Sequence, residues 1–87
     1  MITVLDFYAD WCGPCKQMDP ILHDVEKELT GKMNVERIDV DADTIRASEF
    51  GVMSIPTFVV MKDGKEVGRM VGYLPKEEFV KQLSTYL

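Results

Sequence analysis

The chain has 87 residues, of which 46% are hydrophobic and 29% are charged, and its net charge at pH 7 is −5. This length predicts one small domain over residues 1–87 and excludes an added lobe for a flavin or nicotinamide cofactor. The acidic balance and the lack of a basic stripe argue against nucleic-acid binding. The sequence has no apolar run of about 18 residues, so no membrane span is predicted. No signal peptide is visible, and we therefore expect a cytoplasmic protein.

The first predicted element is a strand over Ile2–Tyr8, whose apolar run suits burial on both faces and contains a single acid, Asp6. Gly13 and Pro14 end this run. They open a helix whose apolar residues recur at helical spacing until the chain reaches Gly31. A buried strand followed directly by an amphipathic helix is typical of an α/β domain.

The rest of the chain predicts a strand, a short helix, two strands and a last helix. In this order they are Val35–Val40, Thr44–Phe50, Thr57–Met61, Glu66–Val71 and a segment opened by Pro75. Asp63 and Gly64 between the last two strands indicate a tight hairpin turn. The order β-α-β-α-β-β-α predicts an α/β fold with a four-stranded mixed sheet and helices on both faces.

The two cysteines, Cys12 and Cys15, stand where the first strand gives way to the first helix. Their spacing places them on one face of a helical turn, close enough for a disulfide. A zinc half-site is the alternative, but zinc needs four ligands and no second Cys/His pair exists. The helix N-terminus favours a Cys12 thiolate, and Cys15, expected to be the more buried of the two, suits the resolving role. Between them, Gly13 permits close approach of another backbone and Pro14 fits the first helical turn.

The chain resembles the thioredoxin family. The resemblance is carried by segments in the family's order and spacing along the whole chain, which are residues 4–16 with Trp11-Cys12-Gly13-Pro14-Cys15 inside them, Pro20, Val40-Asp41, Phe50-Gly51-Val52, Ser54-Ile55-Pro56-Thr57, Asp63-Gly64 and Gly72. Members of the family usually begin with a further strand and helix, so the chain resembles a short, minimal version. The family's thioredoxin-like fold agrees with the predicted order of elements.

The resemblance also implies roles for individual residues. Asp6 would be the buried acid that accepts the proton of Cys15, and Arg37 stands where the family usually has a lysine that modulates this acid. The peptide bond before Pro56 would be cis. The substrate groove would be shaped by Trp11, Gly13, Pro14, Ile55, Pro56 and Gly72. Two methionines, Met53 and Met70, are further candidates for facing this groove.

These residues predict a general thiol–disulfide oxidoreductase that reduces protein disulfides through Cys12 and Cys15. We expect a monomer with no bound cofactor beyond its redox-active disulfide, recycled by a separate thioredoxin reductase. One alternative is a disulfide oxidant or isomerase of a secretory compartment. Another is a non-enzymatic binding module that uses the cysteine site only as a docking surface.

Overall fold

The computed structural model describes residues 1–87 and contains four strands and three helices. In chain order these are β1 Ile2–Tyr8, α1 Gly13–Glu28, β2 Met33–Asp39, α2 Thr44–Glu49, β3 Thr57–Lys62, β4 Lys65–Val71 and α3 Lys76–Ser84. The predicted order of elements is confirmed. The main shift is at β2, which begins at Met33 rather than Val35, because Met33 is buried in the core although polar neighbours flank it.

The four strands form one mixed sheet in the order β2-β1-β3-β4. Strand β1 runs parallel to β2 and antiparallel to β3, and β3 pairs antiparallel with β4 across the predicted hairpin. The α/β fold with a four-stranded mixed sheet is therefore confirmed. The central position of β1 explains its mostly apolar sequence, since both of its edges and both of its faces are covered.

The two faces of the sheet have separate hydrophobic clusters. On one face, Ile2 and Val4 of β1 pack against α1 and α3, which contribute Met18, Leu22, Val25, Phe79 and Leu83. On the other face, Leu5 and Phe7 pack with Ile38 and Val59 beneath α2 and the segment that follows it. Alternation along β1 therefore decides which layer each side chain joins. Asp6 falls on the α1 face, between Val4 and Tyr8.

The starts of α1 and α2 are fixed by side-chain caps. Cys12 is the N-cap of α1, and its sulfur accepts a hydrogen bond from the backbone N–H of Cys15 at 3.2 Å. Pro14 lies in the first turn of α1, where the missing N–H leaves no helical bond unmade. Asp43 caps α2 by accepting a hydrogen bond from the N–H of Arg46 at 3.1 Å. The first of these caps places a cysteine at a helix N-terminus.

Gly68 on β4 is a position where a side chain would have to displace the ring of Tyr86. A Cβ built there lies 2.7 Å from Cε1 of Tyr86 and closer still to its Cζ and hydroxyl oxygen, because the outer end of that ring packs over the glycine. We expect Gly68→Ala to lower the free energy of unfolding by about 1–3 kcal/mol. Urea denaturation checks this value. In a Tyr86→Ala background the same substitution should cost almost nothing, and an equal cost in both backgrounds would contradict the overlap.

Candidate redox-active site

Cys12 and Cys15 are joined by a disulfide at the N-terminal end of α1, with their Cα atoms 5.3 Å apart. Both residues are buried, Cys12 at 4% and Cys15 at 8% relative exposure. The expectation that Cys15 is the more buried of the two is therefore wrong. Cys12 is covered by the loop before β3, since its Sγ lies 3.8 Å from the carbonyl oxygen of Ile55.

The position of Cys12 at the N-cap gives the two sulfurs different chemistry. The N–H of Cys15 points at Cys12 Sγ, and the N–H groups of the first turn make this end of the helix electropositive. Once the disulfide is reduced, these groups stabilise a thiolate on Cys12. Cys15 lies one turn further into the helix and lacks that environment. The pair can therefore supply one nucleophilic sulfur and one that acts second.

The loop opposite the disulfide is held in a defined shape. The peptide bond between Ile55 and Pro56 is cis. Gly72, at a φ of +89°, donates its N–H to the carbonyl oxygen of Pro56 at 2.8 Å. A glycine suits this position because other residues rarely adopt such a φ. Ile55 therefore faces Cys12, while Pro56 is tied to Gly72.

The rim of the site carries an exposed aromatic side chain. Trp11 is 70% exposed, and its indole Nε1–H donates to Oδ2 of Asp41 at 2.8 Å. Next to the disulfide, a Cβ on Gly13 would meet no atom of the chain within 4 Å. The space above Gly13 is therefore open to another molecule. Asp41 was missed as a site residue from the sequence, where the one signal for it was its place in the Val40-Asp41 segment of the family resemblance.

Asp6, the predicted proton acceptor, is a buried acid of β1 with 5% relative exposure. Its burial raises the pKa of the carboxyl from 3.8 to about 6, although the positive charge of Arg37 lowers this pKa and the negative charge of Asp19 adds to the rise. A carboxyl with this pKa can both accept and release a proton near neutral pH. The carboxyl of Asp6 is therefore a buried group that can exchange a proton near neutral pH.

Arg37 is paired with Asp6 in the register of β1 and β2 but does not contact its carboxyl. The guanidinium instead donates to Oε1 of Glu26 at 3.1 Å, forming an ion pair at the surface. Arg37 therefore acts on Asp6 through space. An open pocket of about 350 Å³ lies at the end of β1, beside α1 and β2. Its lining includes Tyr8, Asp10, Cys15, Lys16, Asp19 and Arg37.

The two methionine candidates lie in different places. Met70 is 3% exposed and belongs to the core on the α1 face, so its expected place in a groove is wrong. Met53 is 95% exposed in the loop that leads to Ile55.

No three or more His, Cys, Asp and Glu side chains are grouped so that they could hold a metal ion. None of the helices has the length and apolar character needed to cross a membrane.

The disulfide lies at the N-terminus of α1, and the carbonyl of Ile55 approaches its Cys12 sulfur. A cysteine pair in this position is typical of dithiol–disulfide oxidoreductases. Comparison with known proteins agrees. The family model described as Thioredoxin matches residues 1–85. The chain belongs to the thioredoxin family and is a thiol–disulfide oxidoreductase. Members of this family act on disulfide substrates and are reduced by thioredoxin reductase.

Individual relatives match along almost the whole chain. A thioredoxin of Staphylococcus saprophyticus and one of Bacillus subtilis are each 42% identical to it over 86 residues, which cover 99% of the chain and 83% of the relative. A thioredoxin of Staphylococcus aureus is 41% identical over the same coverage. The predicted family and class of activity are confirmed.

Proposed function

We propose that residues 1–87 form one domain that reduces protein disulfides, with Cys12 as the nucleophile. The Cys12 thiolate attacks one sulfur of the substrate disulfide, forms a mixed disulfide and releases the other substrate sulfur as a thiolate. The observation that carries this assignment is the N-cap position of Cys12, whose sulfur accepts a hydrogen bond from the N–H of Cys15. Cys12 is therefore the sulfur better stabilised as an anion.

In the second half-reaction Cys15 is the resolving cysteine. Its thiol transfers a proton towards Asp6, and the resulting thiolate attacks Cys12. The Cys12–Cys15 disulfide re-forms and the second substrate thiol leaves. A pKa of about 6 leaves Asp6 mostly ionised at neutral pH and able to accept that proton. Arg37 supports this state, because its positive charge lowers the pKa of Asp6.

Substrate docking is assigned to the surface around the disulfide. Exposed Trp11, Gly13 and Pro14 form one side of it. Ile55, the cis Pro56 and Gly72 form the other. An extended substrate segment could use backbone groups of this loop, while the open space above Gly13 admits its backbone. The hydrogen bond from Trp11 to Asp41 would hold the indole ring at the rim.

The wider setting of this function is also a proposal. The protein would work as a cytoplasmic monomer on disulfide-containing proteins, without bound metal or organic cofactor and without nucleic-acid or membrane partners. A separate thioredoxin reductase would return the Cys12–Cys15 disulfide to the dithiol. The family membership and the net charge of −5 support this setting.

Dithiol-driven reduction of a small disulfide-bonded protein such as insulin tests the proposal. The wild type should accelerate the reduction and Cys12→Ser should abolish that acceleration, because no thiolate remains at the helix N-terminus. Equal activity of the two proteins would contradict the assignment. The reduction potential separates a reductase from a secretory oxidant. A value of about −180 to −210 mV, the poise of the endoplasmic reticulum, would favour the oxidant.

A further inference from the structure

The methionines of the chain differ widely in exposure to solvent. Three lie in the core with at most 4% exposure, and Met61 is partly buried. Met1 and Met53 are exposed at 69% and 95%. The three core residues are Met18, Met33 and Met70. An oxidant in solution therefore has free access to the sulfurs of two residues and poor access to the others.

The two exposed methionines lie at opposite ends of the molecule. Met1 precedes β1, whereas the redox site lies beyond the other end of that strand, about 20 Å away at 3.3 Å per residue. Met53 is two residues before Ile55, so their Cα atoms are separated by at most about 7 Å. The carbonyl of Ile55 in turn lies 3.8 Å from Cys12 Sγ. Met53 is thus the exposed methionine in the loop whose Ile55 contacts the disulfide.

A free methionine at this place suits the docking of varied protein segments. Its unbranched side chain and polarisable sulfur adapt to apolar groups of different shape, which is why methionine is frequent on surfaces that bind many partners. Met53 has 95% of its surface available, so a docked segment would remove much apolar area from water there. Its oxidation would replace this apolar contact with a polar group.

We propose that Met53 is an oxidation site through which peroxides weaken the docking of protein disulfides at the redox site, an inference that rests on the function proposed above. In this reaction the thioether sulfur attacks one peroxide oxygen and the O–O bond breaks. With hydrogen peroxide the products are methionine sulfoxide and water. The sulfur loses two electrons to the peroxide, and no further reductant is required.

The kinetic effect follows from what the modification leaves unchanged. Cys12, Cys15 and Asp6 keep their positions, so the exchange steps proceed at the same rate once a substrate is bound. Loss of the apolar contact weakens binding and should raise KM for a protein disulfide about threefold to tenfold, with kcat unchanged. A small disulfide reagent that does not extend to Met53 should be reduced as fast as before.

The test treats the disulfide form of the protein with hydrogen peroxide, because cysteines held in a disulfide offer no thiolate to the oxidant. Peptide mass mapping follows the gain of one oxygen at each methionine. Met53 and Met1 should react first, and the three core residues should react slowest. The treated and untreated proteins are then compared in dithiol-driven reduction of insulin and of a small disulfide reagent.

Two variants isolate the contribution of Met53. Met53→Leu keeps an apolar side chain that peroxide does not oxidise, so its KM for insulin should be the same before and after treatment although Met1 still reacts. Met53→Gln places a polar group there without any oxidation, and its KM should exceed that of Met53→Leu. A methionine sulfoxide reductase should return the treated wild type to its original KM.

Several outcomes would overturn the inference. Oxidation of Met53 no faster than that of the core methionines would remove its basis, as would an unchanged KM in fully oxidised protein. A KM that rises equally in treated Met53→Leu would assign the effect to another residue. If the untreated wild type fails to reduce insulin at all, the proposed function falls and this inference falls with it. An active untreated protein that is insensitive to peroxide contradicts the role of Met53 alone.

Discussion

Cys15→Ser should convert the protein into a trap that accumulates mixed disulfides between Cys12 and substrate proteins. The first attack needs only the Cys12 thiolate at the N-terminus of α1, which this substitution leaves in place. Resolution normally uses a sulfur already held against Cys12, since the Cα atoms of the pair are 5.3 Å apart. An external thiol must replace it, so turnover should fall by about two orders of magnitude or more.

Non-reducing electrophoresis followed by reduction measures the trapped species, and mass spectrometry identifies the sulfur involved. Cys12→Ser is the matched control and should trap little, because Cys15 lacks the N-cap environment that favours a thiolate. Equal trapping by both variants would show that either sulfur can begin the reaction. Stronger trapping by Cys12→Ser would reverse the two assigned roles.

The features that the sequence predicted correctly depend on local patterns. The mostly apolar run of Ile2–Tyr8 favoured a strand covered on both faces, and β1 occupies the centre of the sheet. The spacing of Cys12 and Cys15 across one helical turn was enough to indicate a disulfide, because both partners lie in the same short segment. Asp63 and Gly64 likewise indicated the hairpin that joins β3 and β4.

The features that could not be predicted depend on contacts between distant segments. The relative burial of Cys12 is set by Ile55, which lies 43 residues further along the chain. The partner of Trp11 is Asp41, 30 residues away. Met70 and Met53 look equivalent by residue type, but β4 carries Met70 into the core while the loop leaves Met53 in water. No local sequence pattern predicts these contacts, because they depend on tertiary packing.

The sequence predicted that Arg37 lies near Asp6, but it did not predict the ion pair that Arg37 forms with Glu26. Strand register places Arg37 beside Asp6, as the family resemblance suggested. The guanidinium nevertheless pairs with Glu26 on α1, where both groups keep contact with water. Moving the arginine into contact with the buried acid would require desolvating the guanidinium. Its influence on Asp6 is therefore electrostatic and graded.

Asp6→Asn should stabilise the protein at neutral pH while slowing catalysis. The pKa of Asp6 is about 6 in the folded protein and 3.8 at its ordinary value. Below about pH 3 the acid is protonated in both states and costs nothing. As the pH rises from about 4 to 6 the unfolded chain loses its proton first, so the free energy of unfolding falls. Above that range the loss from this residue reaches about 3 kcal/mol, which asparagine avoids.

Urea denaturation at several pH values measures this difference. Wild type and Asp6→Asn should have similar stability at about pH 3, and the variant should be more stable by about 2–3 kcal/mol at about pH 8. In turnover assays, Asp6→Asn should slow the resolution of the mixed disulfide more than its formation, because in the proposed mechanism only Cys15 transfers its proton towards Asp6. A stability difference that is the same at every pH would show that the acid is not destabilised by its burial.

Charges near Asp6 should shift its titration in opposite directions. The positive charge of Arg37 lowers the pKa of Asp6, so Arg37→Gln should raise that pKa and move the acid limb of the reductase pH profile upward. The negative charge of Asp19 raises it, so Asp19→Asn should move both downward. Glu26→Gln is the control, because it breaks the ion pair but keeps the guanidinium charge.

Site-resolved NMR titration of the Asp6 carboxyl in the three variants reads out the coupling directly. If the charge of Arg37 is what matters, Glu26→Gln should leave the pKa of Asp6 unchanged or lower it, while Arg37→Gln raises it. An equal rise of the Asp6 pKa in both variants would mean that the ion pair acts by positioning β2 against α1. Loss of that position, and not loss of the guanidinium charge, would then raise the pKa. Superimposable titrations in wild type and Arg37→Gln would instead mean that water screens the guanidinium completely. The desolvation of Asp6 alone would then set its readiness as a base.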